Sequence, residues 1–287
     1  MKNKLCSKIL NKALLAPTSL LLGFLLNIST TQVLIADEPT LEIAKKQYTL
    51  TQIKNLVKEK TVYAIEPHLK DNVAFVGFSV DELLEKTIGS DWKNADGMLY
   101  SCIDGYRSDI AVERVKLFKP YLVYKFKDGR PFKVNVKSQN EKDVELGPFY
   151  LVWDNIAFPI LNKDSAYGWP YQVNKIEFIS YDTHYAKVFP FKGRDSEVLK
   201  PGFEAFKSYC MTCHALKGEG GEKGPALWPN ENINKLGYAK FEKWVLDPQR
   251  EKESTTMPAL NPQLPLKNRK IAAKKIYEYL KGLNSIK

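Results

Sequence analysis

Cys210-Met211-Thr212-Cys213-His214 narrows what this chain can become more than any other stretch, because two thiols and an imidazole share five consecutive residues. A Cys-x-x-Cys pair alone serves zinc, dithiol redox chemistry and haem attachment alike. A histidine directly after the second cysteine points to covalent c-type haem. Two thiols three positions apart on one helical turn can each add to a vinyl group of the same porphyrin, and the next side chain then offers its imidazole to the iron. Zinc asks for two more Cys or His ligands at finger-like spacing, yet the other histidines, His68 and His184, lie far upstream. A thioredoxin-like dithiol is expected at the start of a helix after a strand, whereas here the motif closes a helical segment. The reading is one haem c bonded to Cys210 and Cys213, with His214 as an axial ligand.

The rest of the chain suits such a centre. At 287 residues it exceeds what one core usually organises, so two domains are expected. A hydrophobic share of 44% with 26% charged residues excludes a disordered chain. The formal charge of +10 includes Lys2, Lys4, Lys8 and Lys12. Those lysines precede an apolar stretch, Ala13 to Ile28, interrupted by Pro17, Gly23 and Asn27. Residues 1–36 therefore read as a signal peptide cleaved after Ala36, and the protein is expected in the periplasm; membrane association requires that the segment stay uncleaved. What remains is mildly basic and suited to acidic partner surfaces, and it lacks the basic, aromatic-interleaved runs of a nucleic-acid binder. Cys6 falls in the signal. The three cysteines left, Cys102, Cys210 and Cys213, exclude a full disulfide framework.

From about residue 195 onward the chain resembles the short bacterial class I cytochrome c domains, motif by motif. Gly202 and Phe206 lie four apart on the helix before the haem motif, where a close helix crossing needs a missing side chain beside a ring. Gly224-Pro225-Ala226-Leu227 is similar to the family's Gly-Pro-x-Leu loop, which implies that the Pro225 carbonyl accepts the His214 N–H. Phe241 to Asp247 reads as a helix stopped by Pro248. Met257-Pro258-Ala259-Leu260 resembles the distal loop and implies Met257 as the second axial ligand, with His184 as its rival. The last helix, Asn268 to Leu283, places Ala272, Ile276, Tyr279, Leu280 and Leu283 on one face; the resemblance implies that it crosses the first helix at Tyr279.

Upstream, residues 38–182 form a strand-rich region. Thr49 to Gln52 and Ser79 to Glu82 have the form of capping boxes. Asp104-Gly105 and Asp128-Gly129 follow strands as hairpin signals. Gly77-Phe78-Ser79-Val80-Asp81-Glu82-Leu83-Leu84, Asp104-Gly105-Tyr106, Gly147-Pro148-Phe149-Tyr150-Leu151-Val152 and Tyr167-Gly168-Trp169 together resemble part of the sulfite-oxidase-type molybdopterin domain. That family's metal-ligating cysteine precedes the Gly-Phe-Ser segment, where this chain has none, so a fold that has lost molybdopterin is expected. Cys102 reads as a small buried hydrophobe. His68, Arg107, Arg114 and Arg130 read as surface residues.

The expected fold class is an α+β N-terminal domain, of partial sulfite-oxidase type, followed by an all-α cytochrome c domain. The expected boundaries are 38–182, a linker at 183–196, and 197–287. The expected function is that of an exported mono-haem c-type cytochrome transferring single electrons to or from redox proteins with acidic docking surfaces. Its upstream domain would be a docking or scaffolding module, and no catalytic residue is assigned. The alternative is a molybdenum-dependent, sulfite-dehydrogenase-like oxidoreductase passing electrons to its own haem.

Overall fold

The computed structural model describes residues 38–164, 166–228 and 231–284, so the expected signal peptide lies outside the described residues. The chain begins with a tight ribbon, β1 (Thr40–Ile43) and β2 (Lys46–Thr49), leading into α1 (Leu50–Leu56). Thr49 caps α1 by accepting from the Gln52 amide, and the Gln52 side chain returns the bond to the Thr49 amide, as the local sequence predicts. Strands β3 (Lys60–Glu66) and β4 (Asp71–Ser79) follow, then α2 (Val80–Ile88). Here the second expected capping box does not form: the Ser79 hydroxyl donates to the Asp81 carboxylate rather than capping the helix.

Next come β5 (Gly97–Cys102) and β6 (Arg107–Ala111), joined through Asp104-Gly105 as the turn chemistry predicts, and then α3 (Val112–Phe118) and β7 (Tyr121–Phe126). The second hairpin signal, Asp128-Gly129, turns the chain without making a hairpin. Both edges of β7 are already taken by β4 and by β10 (Tyr150–Val152). Instead β8 (Lys133–Val136) and β9 (Glu141–Glu145) pair with each other. Strand β11 (Val173–Ile179) lies parallel to β1 and antiparallel to β5, completing a five-stranded sheet of order β2-β1-β11-β5-β6 beside a four-stranded sheet of order β10-β7-β4-β3. Phe75, Phe78, Phe126, Tyr150, Trp153 and Tyr100 fill the core of this part with fully buried rings.

The remainder is helical: α4 (Tyr181–His184), α5 (Gly193–Tyr209), α6 (Glu231–Leu236), α7 (Tyr238–Leu246), α8 (Pro248–Glu251) and α9 (Leu266–Asn284). A second apolar cluster, with Phe203, Phe206, Phe241, Ile276, Tyr279 and Leu280, packs between these helices. Helices α5 and α9 cross at Gly202, where a Cβ would stand 2.2 Å from the Lys275 carbonyl oxygen. The Phe206 and Tyr279 rings meet there at 5.7 Å. Among the described residues no helix is long and apolar enough to cross a membrane.

These features overturn the expected fold class of a partial sulfite-oxidase-type α+β domain followed by an all-α cytochrome c domain. Glu38–Lys287 is one compact unit of mixed α and β structure, strand-rich towards its N-terminus, with no free-standing all-α domain at its C-terminus. The physical reason is that the helical part satisfies its own groups on the strands. The Arg107 amide donates to Thr212 O (2.9 Å) and the Glu222 amide to Gly105 O (2.7 Å), stitching the Cys-x-x-Cys loop to the β5–β6 turn. Asp109 on β6 accepts from the hydroxyls of Tyr181 (3.3 Å) and Tyr185 (2.9 Å), and Lys207 of α5 lies 3.5 Å away. Periodicity within one segment reveals its apolar face, but not partners a hundred residues away.

Candidate functional site

Helix α5 delivers the thiols. Its last turn closes with the Cys210 amide on Phe206 O (2.8 Å), and the amides of Cys213 and His214 then both donate to Cys210 O, at 3.1 and 2.9 Å. Two thiols and an imidazole are thus wound around a single carbonyl. Both cysteines are free and half-buried. Burial, reinforced by the neighbouring Cys213, pushes the Cys210 thiol up to about 12; burial raises Cys213 as well. A dithiol redox centre works through a lowered thiol pKa, opposite in direction to the shift at these two thiols. Among the described residues no cluster of three or more Cys, His, Asp or Glu side chains is placed to hold a metal ion.

The loop after His214 folds back on it. The Gly224 amide donates to Cys213 O (2.7 Å), and the Leu227 amide to Ala215 O (2.8 Å). This return brings Pro225 O to 2.7 Å from His214 Nδ1. A carbonyl can only accept, so Nδ1 carries the proton and Nε2 keeps its lone pair for a metal. Gly224 makes the approach possible: a Cβ there would lie 2.6 Å from the imidazole Cε1.

Met257 is half-buried in the loop between α8 and α9. That loop hangs from α7 by the Leu260 amide on Val245 O (2.8 Å), and Arg269 clamps Leu260 O and Leu246 O, both at 2.6 Å. The strand-rich part holds it as well. Asn140 donates to Glu253 O (2.9 Å) and Thr255 O (3.0 Å), and the Tyr167 hydroxyl donates to Ala259 O (3.3 Å). The Trp244 indole N–H points at Met257 Sδ, 3.2 Å away. Cys210 and Met257, together with Leu227 and Trp228, border the same apolar cluster. Two free thiols, an imidazole with one nitrogen occupied and one available, and a thioether at the same cluster form a donor set that fits a c-type haem.

The structure places the other sequence candidates elsewhere. His184 faces Glu219 (3.6 Å) and stacks edge-on against Tyr185. His68, expected at the surface, is instead half-buried, with its Nε2 shielded and without a hydrogen-bond partner. Cys102 is buried, and burial pushes its thiol well up. Arg107, also expected to be solvated, lies in the seam, contacting Gly220 O (3.5 Å) and Glu177 (3.7 Å).

Sequence reasoning missed the polar cluster centred on Lys223. Its ammonium meets Asp104 (2.9 Å), Tyr171 OH (3.2 Å) and Glu141 (3.4 Å), contributed by the β5–β6 turn, the segment before β11, and β9. The one local signal was a lysine inside a glycine-rich loop, which reads as solvated when its partners are unknown. Comparison with family models and with curated proteins finds no match to this chain.

Proposed function

We propose that Cys210 and Cys213 hold one haem c by thioether bonds, that His214 and Met257 ligate its iron, and that the protein is an exported carrier of single electrons. The observation that supports this most is the His214 Nδ1–Pro225 O contact of 2.7 Å, made by the residue directly after two free thiols wound on one turn. When bound, the haem supplies an iron that alternates between ferrous and ferric states.

The residues of the chain do the rest. Pro225 orients the imidazole and makes Nε2 more electron-rich, which favours the oxidised metal. The soft, uncharged sulfur of Met257 favours the reduced one. Phe206, Leu216 and Phe241 keep water from the inner side of the site. Exposed lysines on α9, among them Lys270, Lys274 and Lys281, form a basic face suited to an acidic redox partner. The lysine-led, apolar segment before Asp37 is consistent with delivery to the periplasm.

The test is metal analysis and spectroscopy of the full chain produced in a host that matures c-type cytochromes. One iron per chain, no molybdenum, and colour that stays with the polypeptide in acid acetone are expected. Colourless protein, or pigment extracted by acid acetone, would sink the reading. Molybdenum alongside iron would favour the sulfite-dehydrogenase-like alternative.

A further inference from the structure

Lys223 sits where the two cores meet, and everything around it restrains one loop. Its ammonium, on a side chain only 15% exposed, is held by Asp104, Glu141 and the Tyr171 hydroxyl. On one side of it, the Glu222 amide is bonded to Gly105 O; on the other, the Gly224 amide is bonded to Cys213 O. Next come Gly224 pressed flat on the His214 ring and Pro225 accepting from Nδ1. An unbroken series of contacts therefore runs from the Asp104 carboxylate through Lys223 and the backbone to the imidazole.

We propose that Lys223 is a positioning residue for the redox centre: its anchorage on Asp104 and Glu141 holds the Gly224-Pro225 segment against His214 and thereby sets how strongly the imidazole donates to the metal. This rests on the haem reading above, but it concerns residues of the strand-rich part that the haem motif does not contain. Its sign separates it from a simple charge effect. An imidazole whose N–H is held by a carbonyl is the stronger donor, so loosening the Pro225 contact raises the reduction potential. Acting only through space, the Lys223 cation favours the reduced, less positive metal, and its removal lowers the potential. Removing the Asp104 charge through space does the opposite.

The experiment compares the full chain with its Lys223→Met, Lys223→Arg and Asp104→Asn variants by two measurements, amide hydrogen exchange and redox titration of the haem-loaded protein. Losing a charge-assisted hydrogen bond is expected to speed exchange of the Gly224 and Leu227 amides about tenfold or more, leaving α9 unchanged. The potential is expected to rise in both Lys223→Met and Asp104→Asn, and to return towards the parent value in Lys223→Arg. Unchanged exchange in both charge-removing variants, or a potential that falls in Lys223→Met, would overturn the proposal. Should Lys223→Met fail to fold, the exchange result for Asp104→Asn decides. Colourless parent protein would overturn the haem reading instead, and exchange would still test the anchorage.

Discussion

His214 and Met257 differ in how much their surroundings restrain them, and single substitutions should expose the difference. His214 is fixed by its own loop through Pro225, whereas Met257 is fixed by long-range bonds to its loop and by the Trp244 indole. Met257→Ala is expected to abolish the weak red thioether–iron absorption band and to lower the potential, while His184→Ala leaves the band in place. Loss of the band in His184→Ala instead would move the distal ligand to that residue. A second residue-scale effect concerns His68. Burial, partly opposed by the Glu66 carboxylate, holds its imidazole below the ordinary value of 6.5. The folded state therefore prefers the neutral ring. The associated stability is present above the unfolded value and is lost as pH falls through the lowered folded one. His68→Phe keeps a ring against Tyr171 but removes the proton site, so the acid-side fall in melting temperature below about pH 6.5 should flatten. An identical pH profile in the variant would refute this.

Among the elements, α5 and α9 bear most directly on the site, because their crossing sets where Cys210 emerges. Gly202→Val would drive a branched side chain into the Lys275 carbonyl, already 2.2 Å from an ideal Cβ, and the helices must separate to admit it. A loss of about 1–3 kcal/mol is expected, read as a lower denaturation midpoint and a smaller haem-loaded fraction. That α9 meets α5 at Tyr279 was implied by the family resemblance, since a stripe within either helix shows an apolar face and not its partner. Local sequence was enough for the α1 capping box and the Asp104-Gly105 turn. It failed at Asp128-Gly129, since a turn signal reports a reversal but not which strand edges remain free. It failed again at Ser79, because the Glu82 amide that its hydroxyl would have capped donates to the Asp81 carboxylate instead.

Across the whole molecule, two apolar clusters are joined through polar contacts rather than by a shared core. Asp109 with Lys207, Tyr181 and Tyr185 forms one joint, Lys223 with Asp104, Glu141 and Tyr171 forms a second, and Asn140 with the Glu253 and Thr255 carbonyls adds a third. Together with the backbone hydrogen bonds of Arg107 to Thr212 and Glu222 to Gly105, these contacts tie the two parts into one compact unit. Heating should therefore melt residues 38–287 in one transition, with the far-ultraviolet signal and the haem absorption lost together. Two resolved transitions would show that the parts are independent.

The amino-acid order alone carried the Cys210-to-His214 motif, the α1 capping box and most helices and strands, because each depends on residues close together along the chain. Only the tertiary structure decided that the helical segment does not stand apart, that Arg107 and His68 become half-buried, and that Lys223 meets Asp104, Glu141 and Tyr171. Those outcomes turn on partners between about 50 and 120 positions away, with long-range pairings such as Asp104–Lys223 and Lys223–Tyr171. A charged or polar residue looks the same in sequence whether water or a distant carboxylate surrounds it, and the chain must close on itself before the difference exists.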